Sequence, residues 1–265
     1  MSLVVYRLVH APVTLAVRAK AGFDSPPGRP FYEVDPYKKP AELLEVSPKG
    51  LVPGLKLNTY RPPRAVNEST VILEYLEDVA STTTKRSLLP PVSDPYARAL
   101  IRLQADHVNR TLVPAFYRYI QAQDEEKQVT GAKDFVDALI GLVMLFERAE
   151  AETTTDFGLW KKDGRLSLAD VMAGPWIFRA TNVLVHYRGF VLPAGERFRE
   201  YVDRLVNHPT FKRTCSTEQL YLDSYERSVE CLLSLPGRER DQLRKGFTVK
   251  LYNVWPTVGK SPEET

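Results

Sequence analysis

Cysteine is nearly absent from this chain of 265 residues: only Cys215 and Cys231 occur. Two such thiols build no disulfide scaffold, stand in no metal-ligand spacing, and read as ordinary thiols of an intracellular protein. No apolar run approaches the ~20 residues of a membrane-spanning helix. Neither sign of charge dominates, with 36 basic and 33 acidic residues and a net charge of +3. That balance argues for neither nucleic acid nor a membrane surface as partner. No internal repeat is visible. Acidic residues are missing between Met1 and Phe23, while Arg7, Arg18 and Lys20 are present. Such a stretch resembles a transit peptide, but LVVYRLV is rich in Val and Tyr as a strand should be, and folded structure is the preferred reading. Without a secretory signal, the glycosylation patterns at Asn67 and Asn109 carry no weight.

What is present is ordinary globular composition, 43% hydrophobic and 26% charged, in a length that suits one large domain or two of usual size. The first 80 residues mix strand and helix signals. Strands are expected at 3–9, 31–35, 54–58 and 65–66, and helices at 12–21, 40–46 and 70–80. That order describes a small α/β unit. The polar, proline-rich stretch 81–95 reads as a linker. Residues 96–237 are helical in character, with helices expected over 96–123 (one helix, or two halves bent at Pro114), 132–151, 167–184, 195–207 and 216–235. Residues 238–265 form a charged extension. Ser167 and Asp170 stand at capping-box spacing before an apolar run, a structural feature rather than a reactive one.

The stretch SPKGLVPGLKL, residues 47–57, places Pro53 at the mouth of a strand. Strand prolines are confined to edges, first residues and bulges. Pro53 is therefore either a trans proline opening an edge strand or a cis proline in a tight turn. Fifteen residues after Pro53 comes Glu68, in the NEST that opens a helix. Alone, Glu68 and Ser69 read as a plain helix start.

Three features coincide: GLVP before a strand, NEST opening a helix, and an all-helical second half carrying LSLAD. Together they resemble the glutathione transferases, and within them the fungal omega-like class, over roughly residues 3–230. The resemblance implies a thioredoxin-like domain over 1–80 followed by a helical bundle, a cytoplasmic homodimer, and glutathione as the ligand. It also implies a cis bond at Val52–Pro53. The Val52 backbone would then pair with the cysteinyl part of an extended tripeptide, as a strand would. Ser69 and the helix start would meet the γ-glutamyl carboxylate, Glu68 would accept from its α-amino group, and Lys39 stands where the class keeps a lysine. Phe116, Tyr117, Tyr119, Trp176 and Arg179 are the expected contacts of a hydrophobic electrophile. No metal is implied.

One departure is sharp. The class carries Cys-Pro where the first strand meets the first helix, and here that dipeptide is Ala11-Pro12. Thiol transfer needs a protein thiolate and is not expected. His10, Thr14 and helix N-terminal amides are left at the position of the missing cysteine. Three functions stay open: conjugation of glutathione to an electrophile, glutathione-dependent cis–trans isomerisation of a conjugated alkene in a fungal secondary metabolite, and non-catalytic binding or regulation.

Overall fold

A computed structural model of the chain describes residues 3–7, 31–34, 39–83 and 87–229. Two compact units emerge, Met1–Leu88 with Arg213–Cys215, and Leu89–Lys212 with Ser216–Thr265. In the first, β1 (Leu3–Arg7), β2 (Phe31–Glu33), α1 (Ala41–Val46), β3 (Gly54–Leu57), β4 (Arg64–Asn67) and α2 (Ser69–Thr83) follow one another. The sheet has the order β2-β1-β3-β4. β1 runs parallel to β2, with Val5 opposite Phe31. It runs antiparallel to β3, with Val5 opposite Leu55, and β3 is antiparallel to β4, with Leu55 opposite Val66. A parallel pair requires a crossover. The helix expected at 12–21 falls outside the described residues, as do His10, Ala11 and Thr14.

β3 lies inside the sheet and buries Gly54, Leu55 and Leu57. α1 buries Leu43 and Val46, which pack with Val34 and Val52. α2 buries Ile72, Leu73, Leu76 and Ala80. On the same helix Val71 is exposed and Tyr75 only half-buried. Glu77, also buried, accepts hydrogen bonds from the Ser87 hydroxyl and, at 3.0 Å, from Leu88 N–H. It thereby ties the end of α2 to the chain that leaves it. α2 continues to Thr83, inside the stretch expected to be linker.

The second unit is helical. It holds α3 (Pro95–His107), a π turn (Val108–Leu112), α4 (Val113–Gln121), α5 (Glu125–Glu152), α6 (Leu168–Arg179), a second π turn (Ala180–Leu184), α7 (Val185–Arg188), α8 (Glu196–Asn207), α9 (Pro209–Lys212) and α10 (Glu218–Tyr225). The sequence leaves open one helix or two over 96–123. The chain adopts two, joined by a π turn just before Pro114. Proline has no N–H for the preceding turn and its ring clashes with the carbonyl four residues back, and a widened turn accommodates both. α5 begins seven residues earlier than expected. Its first turn is the polar run Glu125-Glu126-Lys127, capped by the Asp124 side chain, which accepts from Lys127 N–H at 2.8 Å. Apolar periodicity cannot register such a turn. α10 ends at Tyr225 and passes into a 3₁₀ turn (Glu226–Val229); the remainder of the expected helix, with Cys231, falls outside the described residues.

Two buried polar anchors hold this bundle. The capping box forms at the start of α6. Ser167 Oγ accepts from Asp170 N–H at 3.2 Å, and Asp170 Oδ2 accepts from Ser167 N–H at 2.8 Å. The same Oδ2 also accepts from Leu159 N–H at 3.1 Å, pinning the preceding loop. Burial pushes the Asp170 carboxyl pKa up against the hydrogen bonds that lower it. The second anchor is Arg188, in α7. Its guanidinium donates to the carbonyls of Tyr119 (3.2 Å), Ile120 and Ala122 (3.0 Å). These are the carbonyls left over where α4 ends. The negative end of the helix offsets a buried cation whose pKa burial lowers to about 10. Arg188→Met removes all three donations, although Ala122 keeps Gln128 Nε2 at 3.2 Å and Tyr119 keeps Ala122 N–H at 3.4 Å, so the variant should cost about 3 kcal/mol of unfolding free energy. Urea denaturation of the purified variant measures it, and a loss below about 1 kcal/mol would remove Arg188 from this role.

Candidate functional site

α1 stops at Ser47, whose carbonyl accepts from Gly50 N–H at 2.7 Å to close a turn over Pro48 and Lys49. Gly50 has φ 62°, a left-handed conformation that glycine adopts without steric cost. The buried Ser47 hydroxyl then accepts from Leu51 N–H at 3.2 Å. This turn delivers the chain to Val52, and the Val52–Pro53 bond is cis. Pro53 is buried and Gly54 starts β3. Among the described residues, neither the N–H nor the C=O of Val52 has a hydrogen-bond partner.

β3 pairs with β4 so that Gly54 stands opposite Asn67. Asn67 donates from Nδ2 to the Val46 carbonyl at 3.4 Å, which draws the end of β4 to the end of α1. Glu68 follows with φ 66°, the single positive φ outside glycine among the described residues. Its carbonyl accepts from Ile72 N–H at 2.9 Å, so Glu68 holds the position just before the first helical residue, Ser69. Glu68 is exposed and Ser69 half-buried.

These segments surround a cavity of about 380 Å³, lined by Ser47, Pro48, Lys49, Leu51, Val52, Pro53, Asn67, Glu68 and Ser69. The volume falls within the roughly 300–1,000 Å³ usual for small-molecule pockets. Unpaired backbone groups at Val52 suit an extended peptide. The start of α2 suits a carboxylate, through its free N–H groups and the positive end of the helix. Glu68 suits an ammonium group, and Lys49 an anion. Among the described residues no cluster of side chains could hold a metal ion, and no helix is long and apolar enough to cross a membrane.

The cavity brings together Val52, Pro53, Glu68 and Ser69. It does not include Lys39, whose side chain instead lies on Gly50: Cδ and Nζ sit 3.0 and 3.3 Å from where a Cβ on that glycine would be. Ser47, Lys49, Leu51 and Asn67 were not singled out from sequence. Lys49 and Asn67 lie inside the motifs that were, but the bond from Asn67 to Val46 spans 21 positions and leaves no local trace.

The aromatic set divides differently from expectation. Phe116 and Tyr119 are 0% exposed, Arg179 is 1% and Trp176 is 6%, while Tyr117 is 36% exposed. Phe116 meets Phe135, Trp176 and Tyr225 edge-on at centroid distances of 6.0, 5.4 and 5.7 Å. Arg179 donates to the Tyr225 hydroxyl at 3.1 Å and to the Pro175 carbonyl at 2.9 Å, with its guanidinium 4.8 Å from the Tyr221 ring. As contacts for a ligand, Phe116, Tyr119, Trp176 and Arg179 are therefore corrected to core side chains of the second unit. Tyr117 and Tyr119 lie about 200° apart around a helix, so one faces inward and the other outward, and Tyr117 is the outward one. Cys215 is half-buried and forms no disulfide among the described residues.

Comparison with known proteins bears on both units. The family model for the glutathione S-transferase N-terminal domain matches residues 29–79. Glutathione S-transferase U19 of Arabidopsis thaliana is 34% identical over 109 residues, which is 41% of this chain and 46% of that protein. Maleylacetoacetate isomerase maiA of Aspergillus fumigatus is 28% identical over 153 residues, 56% of this chain and 63% of that protein. The matches thus span about half to three-fifths of these relatives' lengths. Among solved structures, glutathione transferase Omega 3C from Trametes versicolor superposes with a TM-score of 0.69 at 30% identity, covering 87% of this chain and 91% of that one.

The left-handed backbone at Glu68 carries a prediction about stability. An L side chain there costs about 1–2 kcal/mol, which glycine avoids while adding about 0.5–1 kcal/mol of unfolded-state entropy. Glu68→Gly should therefore unfold at the wild-type temperature or above it, and Glu68→Val below it. Thermal unfolding of the two variants tests this, and a valine variant as stable as the glycine one would refute it.

Proposed function

The chain belongs to the glutathione transferase family and has its fold, a thioredoxin-like α/β domain followed by an all-helical one, and we propose that it binds glutathione in the cavity at the start of α2 and uses it on a hydrophobic, electrophilic small molecule. The observation that carries this reading is the convergence of Val52, Glu68 and Ser69 on one cavity from two segments of the chain. Val52 N–H and C=O would pair with the cysteinyl residue as a neighbouring strand would. Ser69 and the first amides of α2 would hold the γ-glutamyl carboxylate, and Glu68 the α-ammonium group.

The chemistry in this reading belongs to glutathione's own sulfur. The chain has no cysteine before Cys215, so no protein thiol stands at the omega-class position, where Ala11 falls. The glutathione thiol loses its proton, helped by helix N-terminal amides, with His10 and Thr14 as the side chains proposed nearby. Its thiolate attacks an electrophilic carbon. In conjugation the new carbon–sulfur bond persists, and either a leaving group departs or the adduct takes up a proton. In isomerisation the thiolate adds to a conjugated alkene, the former double bond rotates, and the same thiolate is expelled. The likeness to the Aspergillus fumigatus isomerase supports this second course. A cytoplasmic homodimer of fungal omega-like type completes the reading. Retention of Val52, Pro53, Glu68 and Ser69 together speaks against a non-catalytic scaffold.

Isothermal titration should show glutathione binding to the wild type, weakened about tenfold in Glu68→Ala by loss of a charged hydrogen-bond partner. Absence of binding at millimolar glutathione would overturn the reading. Product analysis with a conjugated alkene then distinguishes adduct from isomer. Replacing both Cys215 and Cys231 by serine should leave glutathione-dependent turnover within about twofold of wild type, since neither thiol enters the chemistry. Loss of turnover in a folded double variant would place the reaction elsewhere.

A further inference from the structure

Val46, the last residue of α1, lies behind the cavity lining and touches both segments that form it. Its side chain packs with Leu43 and Val34, and Val52 rests against that cluster. It also abuts the start of β3: a Cβ placed on Gly54 would lie 3.0 Å from Val46 Cγ1, so the strand meets the helix end about as closely as a glycine permits. The Val46 carbonyl is one of those left over where a helix ends, and Asn67 Nδ2 donates to it at 3.4 Å. Asn67 is the last residue of β4 and stands opposite Gly54, where the β3–β4 register ends. Past that pair the chain turns left-handed at Glu68 and enters α2 at Ser69. Val46 thus carries Val52 on an apolar contact and the β4–α2 junction on a polar one.

We propose that Asn67 is a positioning residue for the bound peptide: by tying the end of β4 to the α1 residue on which Val52 rests, it fixes the spacing between the Val52 backbone and the Glu68–Ser69 helix start. The proposal rests on the glutathione reading above. It requires no contact between Asn67 and the ligand. In that reading the cysteinyl residue and the γ-glutamyl head engage different segments, and both engagements count in full only when the segments stand at the peptide's own spacing. Without the tie, the β4–α2 junction would be ordered by the ligand rather than by folding, and affinity would fall by that ordering.

The test is calorimetric titration of glutathione into a double-mutant cycle of Asn67→Leu and Glu68→Ala, with Lys56→Met as control. Lys56 Nζ bonds Glu45 Oε2 at 3.2 Å and so joins β3 to α1 outside the cavity lining. Asn67→Leu keeps the size of the side chain and loses its donor. At a temperature where thermal unfolding shows the variant folded, it should bind glutathione about fivefold more weakly, the effect of one neutral hydrogen bond. Glu68→Ala should weaken binding about tenfold in the wild type but less than about threefold in the Asn67→Leu background, because the two act through one spacing. Lys56→Met should bind as the wild type does. Asn67→Ala, which also lacks the donor, takes the place of Asn67→Leu if the leucine variant does not fold. Undiminished affinity in the Asn67 variant, a full tenfold effect of Glu68→Ala in its background, or an equal loss in Lys56→Met would overturn the proposal while leaving the glutathione site standing. Failure of the wild type to bind glutathione overturns the glutathione reading itself.

Discussion

The opening amides of α2 have no partner within their own helix, and the site is built around that deficit. The first N–H groups of any helix lack an intrahelical acceptor. Here the first helical residue, Ser69, lines a cavity. The left-handed turn at Glu68 makes this possible, since it carries the chain from β4 into the helix within one residue. Pairing of Gly54 with Asn67 then sets the helix start next to Val52, whose own backbone groups are also unpaired among the described residues. Backbone donors and acceptors on two segments thus face one space. A ligand able to satisfy both would replace water at groups that folding has already oriented.

The second unit shows the opposite economy. Its buried polar groups are largely occupied with holding helices. Asp170 serves Ser167 and Leu159, and Arg188 serves three carbonyls at the end of α4. Both sit where a backbone would otherwise bury unpaired groups, and this accounts for charged side chains in a bundle core. The aromatic cluster of Phe116, Phe135, Trp176 and Tyr225 packs edge-to-face, an arrangement the ring quadrupoles favour. Tyr117 joins that cluster through Trp176, at 5.5 Å, while keeping an exposed side. It is the aromatic residue of the expected set with surface left for a ligand.

In the proposed reading the reactive sulfur belongs to the ligand, and that has a consequence for the protein. A protein thiolate must be activated and kept reduced, whereas a borrowed thiol needs only to be positioned and deprotonated. Positioning is what the first unit would offer, through the hydrogen-bonded turn at Ser47–Leu51 and the β4–α2 junction.

How much was legible in the sequence follows from the range of each interaction. The strand and helix order, the Ser167–Asp170 capping box and the expectation of a cis bond at Pro53 rest on signals within a few residues, or on short motifs in a recognisable order. Polar helix starts such as Asp124–Lys127 were not legible, because they lack apolar periodicity. Which of Tyr117 and Tyr119 faces outward was equally hidden: helical geometry requires that they diverge, but only packing chooses the direction. Lys39 was expected at the ligand, yet its side chain lies on Gly50 outside the cavity lining, a contact that no local pattern signals. The sequence by itself determined the order of elements and the residue types available to a glutathione-like ligand. Only the tertiary structure decided which of them share a cavity, because the contacts that assemble it, Gly54 with Asn67 and Asn67 with Val46, join segments brought together by folding.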